Sequence, residues 1–271
     1  MSLTKNWVTH VISIETRKLI SYRADFWVGF ISTVVVEFGI AYFLWRSVFE
    51  HLGVDRVSGY TFPALLLYYV LSPLVNRVLQ QERWGFISLD VYEGTLTRYL
   101  LYPIPFFLYK YLAHFAQGLV MIVQLLISLG LVVAIFGVPE GVALTPGSVA
   151  LGVLSLFFCN YLFFAFSSIF ELVSFWADNV WSLSVILRLT TGFLGGGMIP
   201  LSFFPHSFRE ALALTPFPYF LSFPIRVFMG EMRGLEYARG ILMIICWSTA
   251  LTLLARWIWN RGTRQYTGVG I

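Results

Sequence analysis

Residues 105–138 read PFFLYKYLAHFAQGLVMIVQLLISLGLVVAIFGV. A bilayer's hydrocarbon core is crossed by about 20 apolar residues in helical form, and this run is longer than that. Comparable runs lie at Phe26–Phe49, Tyr60–Leu79, Ser148–Phe175, Val180–Met198 and Leu235–Trp259. With Pro105–Val138 they make six expected spans. The fourth, Ser148–Phe175, is also long, so tilt or extension beyond the bilayer is expected of both.

Composition points the same way. Of the 271 residues, 58% are hydrophobic and 12% charged, and the mean hydropathy is +0.77. A soluble core of this size could not hide so many Phe, Trp and Tyr side chains, whereas lipid and the headgroup layer accommodate them. The net charge of +4 is dispersed between apolar runs and not gathered on one face, which argues against a nucleic-acid surface. Cys159 and Cys246 fall inside apolar runs and suggest neither a disulfide framework nor a metal site. His10, His51, His114 and His206 form no metal-ligand spacing, so no metal site is expected. No cluster of nucleophile, base and oxyanion donors is legible, so the chain is not expected to be an enzyme. Charges throughout residues 1–23 and the lack of a compact apolar stretch argue against a removable signal peptide.

Basic residues set the expected orientation. Lys5, Arg17, Lys18 and Arg23 precede the first span; Arg77, Arg83, Arg98 and Lys110 lie between the second and third; Arg261 and Arg264 follow the last. These segments are expected to be cytoplasmic, giving an all-α integral membrane fold with six transmembrane helices, N-in/C-in. The segment Pro200–Arg233 opposes simple counting, since Arg209, Arg226 and Arg233 fall on the expected outer side.

Three segments outside the spans carry pattern. Leu3, Trp7, Val8, Val11, Ile12, Leu19 and Ile20 recur at roughly helical spacing, so residues 1–25 read as an amphipathic helix on the inner membrane surface, ahead of a membrane domain over 26–271. Residues 80–104 mix charges with apolar residues at helical spacing and fit either a cytosolic docking surface or a plain connection. There Gly94 is expected to end a short helix, and Pro103 and Pro105 to open the next span. Residues 199–233 are apolar but broken by Gly and Pro, so they read as short re-entrant helices, acting as an outer gate or as a structural cap.

At these two segments the chain resembles the permeases of type-2 ABC transporters, six-helix subunits of bacterial exporters. The cytosolic match runs through Glu93, Gly94, Thr95, Leu96, Leu100, Leu101, Pro103 and Ile104. The outer match runs through Gly196, Pro200, Phe204, Pro205, Leu214, Thr215, Pro216 and Phe217. The resemblance implies coupling to an ATPase through Asp90, Glu93, Gly94, Thr95 and Leu96, and an outer gate at Gly196, Pro200, Pro205 and Pro216. It also implies a dimer, with a second copy or a related permease, in which each permease holds a separate ATP-binding subunit in the bacterial plasma membrane. No G-x-x-x-x-G-K-[ST] phosphate loop occurs in the sequence, so ATP and Mg are expected on the partner, with no cofactor on this chain. The family's cargo range includes drugs, lipids and glycans, and the aromatic-rich spans favour an amphipathic or hydrophobic one. A secondary transporter or a non-transporting membrane scaffold remains as the alternative, although only one broken region is visible where inverted repeats would give two.

Charges inside spans are costly and mark function or helix pairing. Glu37 lies roughly 11 residues, about 17 Å of helix, from either end of its expected span. Glu37, Tyr68, Asn160 and Arg188 are the candidates for a substrate pathway, and Glu171 with Arg188 for a structural ion pair.

Overall fold

A computed structural model describes residues 7–21, 23–80, 87–177 and 180–267. The opening residues of the expected interfacial helix (1–6) and of the expected coupling segment (81–86) lie outside the described residues. The described chain is 78% helix with no strand. α1 (Trp7–Ser21) packs against α6 (Phe106–Phe136) and α2 (Arg23–Leu52). α3 (Phe62–Gln80) is followed by two short helices, α4 (Ser88–Tyr92) and α5 (Leu96–Leu100). After α6 come α7 (Pro146–Glu171), extended by a 3-10 turn over Leu172–Phe175, and α8 (Trp181–Leu194). Short helices α9 (His206–Ala213) and α10 (Ser222–Phe228) lead to α11 (Gly234–Gly262).

Four described helices are long and apolar enough to cross a membrane: α3, α6, α7 with its 3-10 extension, and α11. α2, at 30 residues, is about 45 Å long, ample for a bilayer. The expected fifth span, Val180–Met198, is shorter than the sequence suggested. α8 has 14 residues, about 21 Å, against a hydrocarbon core of about 30 Å. The difference arises at Gly195–Gly197, where Gly196 takes φ +83° and turns the chain back. An L side chain at Gly196 is strained, and its Cβ would also meet Leu201, the Tyr68 hydroxyl and Ser222 at 3.0–3.2 Å.

Local chemistry explains the other boundaries. Thr145 and Ser148 form a reciprocal capping box with Pro146 in the first turn of α7. α6 starts directly after Pro105, and Gly94 takes φ +71° after α4, both as the sequence suggests.

α3 occupies the centre, packed by α2, α6, α7 and α10. Its Leu71, Val75, Val78 and Leu79 pack in one core with Leu125 of α6, Leu156 and Leu162 of α7, and Phe228 of α10. α10, though short, is buried along its length apart from Arg226. Within the broken segment after α8, α10 is thus buried in protein, whereas α9 is exposed apart from Leu212.

Candidate functional site

At one end of the bundle α4 and α5 sit on a second, smaller apolar core. Ile87, Val91 and Leu96 point inward against Phe106, Leu172, Phe175 and Ala255, with Trp259 and Tyr266 at the margin. Polar contacts fix this platform on three sides. Glu171, at the end of α7, accepts hydrogen bonds on Oε2 from the backbone N–H of Ile87 at 2.6 Å and of Ser88 at 3.3 Å. It thereby satisfies donors that open α4. Asp90 pairs with Lys110 of α6 and accepts from the Thr95 hydroxyl at 3.0 Å. Lys110, 6% exposed, also lies 4.7 Å from the Tyr99 ring centroid and 5.5 Å from that of Phe106. An ammonium taken out of water is thus matched by one carboxylate and two ring faces. On the third side Tyr266, past the end of α11, donates to the Gly94 carbonyl at 2.9 Å and accepts from the Thr97 N–H at 3.3 Å.

The opposite face of the platform is free of the protomer. Leu89, Tyr92, Leu100 and Tyr102 are about half exposed and Leu101 is 80% exposed, with Glu93 and Arg98 among them. A cluster of large apolar side chains held on a braced, partly polar base is the composition of a contact surface.

The residues singled out at this platform therefore divide. Glu93 faces outward. Leu96 is fully buried, Thr95 donates to Asp90, and Asp90 in turn pairs with Lys110, so they shape the surface from beneath. Gly94 supplies the turn and the carbonyl that Tyr266 grips. Lys110 and Tyr266 carried no sequence signal for this role: one stands in the first turns of an apolar run, the other in the tail after the last span.

At the far end, α3 holds the Gly-rich turn through hydroxyls. Tyr68 donates to the Gly196 carbonyl at 2.7 Å, Ser72 to that of Gly197 at 2.9 Å and Tyr69 to that of Met198 at 2.8 Å. Deeper along the same helix, Gln80 Nε2 donates to the Thr191 hydroxyl at 2.8 Å. Pro200 precedes the 3-10 turn Leu201–Phe203, Pro205 precedes α9, and Pro216, buried, precedes the 3-10 turn Phe217–Tyr219.

The four residues expected along a pathway are not brought together in the protomer. Tyr68 is fully buried on Gly196, and Asn160 is buried with Nδ2 donating to the Val78 carbonyl at 2.9 Å. Glu37 on α2 and Arg188 on α8 both lie on the protomer's exposed surface. The expected Glu171–Arg188 pair is not among the ion pairs of the described residues; burial of Glu171 beside the start of α4 and exposure of Arg188 on α8 account for the difference. Among the described residues no group of three or more His, Cys, Asp or Glu could hold a metal ion.

Several helices long and apolar enough to cross a membrane define the class, a multi-pass membrane protein. The model of the ABC-2 family transporter protein matches residues 35–270, and the chain belongs to that family. Comparisons with curated proteins and with solved structures gave no match. The protein is thus a multi-pass membrane component of an ABC transporter.

Proposed function

We propose that the chain is the permease subunit of an ATP-driven exporter and that the α4–α5 platform is where a separate ATP-binding subunit docks. The observation that carries this reading is the exposed Leu89–Tyr92–Leu101 surface, braced from beneath by Asp90–Lys110, Glu171 and Tyr266. An ATPase that closes and opens needs a rigid lever on the membrane side, and a base tied by an ion pair and by hydrogen bonds to α6, α7 and the segment after α11 supplies rigidity that an isolated loop lacks. ATP and Mg belong to the partner in this reading.

The finer arrangement follows the same reading. α2, α3, α6, α7, α8 and α11 serve as six spans, with α8 completed by the re-entrant segment, and both ends of the chain are cytoplasmic. α1 lies along the inner surface of a bacterial plasma membrane. Two permeases, identical or related, pair so that the Glu37 and Arg188 surfaces are covered by the partner or face the path, since charged side chains turned toward lipid are costly. Gly196, Pro200, Pro205 and Pro216 form the outer gate, and the cargo is amphipathic or hydrophobic.

Affinity purification of the tagged chain from its native membrane in mild detergent, with mass spectrometry and an ATPase assay on the eluate, tests this. A stoichiometric ATP-binding protein lost on Leu101→Asp supports the reading. Recovery of the chain alone, without ATPase activity, overturns it in favour of a secondary transporter or a scaffold.

A further inference from the structure

At the end of the bundle away from α4 and α5 there is a cavity of about 1000 Å³. Its walls come from Thr61 and Ala64 at the start of α3, Glu236 and Arg239 in the first turns of α11, the loop at Glu140, and α9. The cavity lies among helix ends, at one end of α3 and α11 and beside the loop between α6 and α7, where the spans of the proposed arrangement would meet headgroups and water. The floor is apolar and buried, built by Phe223, Met229 and Ala64. The rim is charged, and its charges divide into two kinds.

Some are already matched within the wall. Arg226 Nε donates to Glu231 Oε2 at 2.8 Å, and the Tyr60 hydroxyl donates to the same oxygen at 3.3 Å. Glu210 lies 3.6 Å from His206, a contact between two exposed side chains that is an ion pair only when the imidazole is protonated. The others are Arg56, Arg209 and Arg239 together with Glu140 and Glu236, none of which makes an ion pair among the described residues. The open rim therefore offers guanidinium forks, suited to phosphate or carboxylate, beside carboxylates suited to an ammonium. A volume of this order is that of a small-molecule site, at the upper end of a range of about 300–1000 Å³.

We infer that this cavity binds a zwitterionic amphiphile of the phosphoethanolamine class, with its anionic group among Arg56, Arg209 and Arg239, its ammonium toward Glu140 and Glu236, and its apolar part on the Phe223 floor. A purely anionic ligand would face the two carboxylates, and a neutral one would leave the guanidiniums unused. The same headgroup chemistry arises from a bilayer lipid or from a soluble zwitterion. The inference goes beyond the transport reading and does not need it, because binding is measured on the permease without any ATPase.

The test titrates the purified full chain in dodecyl maltoside with dihexanoyl phosphatidylethanolamine by calorimetry, with dihexanoyl phosphatidylglycerol, dihexanoylglycerol and free phosphoethanolamine as comparisons. The expected result is saturable 1:1 binding of the phosphatidylethanolamine, weakened about tenfold in Arg209→Ala and further in Arg56→Ala/Arg239→Ala, with Arg209→Lys between. Glu236→Gln is expected to weaken the zwitterion and to strengthen phosphatidylglycerol. Tighter binding of the acylated form than of free phosphoethanolamine supports the amphiphile; equal binding of the two shows that the Phe223 floor contributes nothing and overturns it. Equal affinity for the anionic or neutral probe, affinity unchanged in the arginine variants, or no saturable binding overturns the inference. The substituted side chains are exposed, and unaltered thermal unfolding without probe shows that each variant is folded.

Discussion

Tyr266 and Gly94 are joined by a 2.9 Å hydrogen bond although 172 positions separate them in the chain. The segment after the last helix thus closes on the turn between α4 and α5 and ties the end of α11 to them.

Tyr266→Phe keeps the ring against Phe175 and removes the hydroxyl. A neutral hydrogen bond contributes about 0.5–1.5 kcal/mol, so the bulk fold is expected to survive with little change in thermal unfolding. Stimulation of the partner's ATPase by the permease is expected to fall about three- to tenfold, measured on the reconstituted complex.

Glu171→Ala leaves the N–H groups of Ile87 and Ser88 without the carboxylate that accepts from them. The expected cost is about 1–3 kcal/mol of stability in detergent, with Glu171→Gln losing less because its carbonyl oxygen still accepts. Thermal unfolding of the two variants side by side gives the order, and equal stability of wild type and Glu171→Ala would remove the capping role.

Lys110→Met strands the Asp90 carboxylate in a mostly buried position, and Asp90→Asn strands the ammonium. Breaking such a pair from one side costs about 3–5 kcal/mol, whereas replacing both partners together costs much less. The double variant Lys110→Met/Asp90→Asn is therefore expected to unfold at a higher temperature than Lys110→Met alone.

Gly196→Ala puts a Cβ at φ +83° beside Leu201, the Tyr68 hydroxyl and Ser222. Backbone strain of this kind costs of order 1–3 kcal/mol. Lower thermal stability than wild type is expected, accompanied by loss of transport but not of ATPase binding in a pull-down.

Leu101→Asp alters only the outer face of the platform, where the side chain is 80% exposed. Unfolding temperature is expected to stay within experimental error while the ATP-binding partner is lost from the purified complex.

Much of the fold was legible because hydropathy is a property of the sequence alone. The runs at 60–79, 105–138, 148–175 and 235–259 all become helices, and Gly94 and Pro105 mark boundaries where expected. The run 180–198 misled because apolar character continues through Gly195–Gly197, while the chain turns there to bond with α3. Composition cannot distinguish apolar residues that span from apolar residues that fold back. Charges deep in runs were visible, but their partners were not. Glu171 bonds to backbone N–H groups, which every residue possesses, and no side-chain pattern announces such a partner. Lys110 was visible as a topology determinant; that Asp90, Tyr99 and Phe106 enclose it depends on how α4 and α5 fold beneath α6.

The hydroxyls of α3 have a consequence for motion. Gln80, at the end nearest the platform, grips α8, while Tyr68, Tyr69 and Ser72 grip the three carbonyls of the turn that follows it. From Tyr68 to Gln80 α3 runs about 18 Å, with Pro73 in its interior. Bonds on both sides of Pro73 tie α8 and its turn to α3, and Pro73, which interrupts the helix ladder between the two sets, is the point at which that tie can bend.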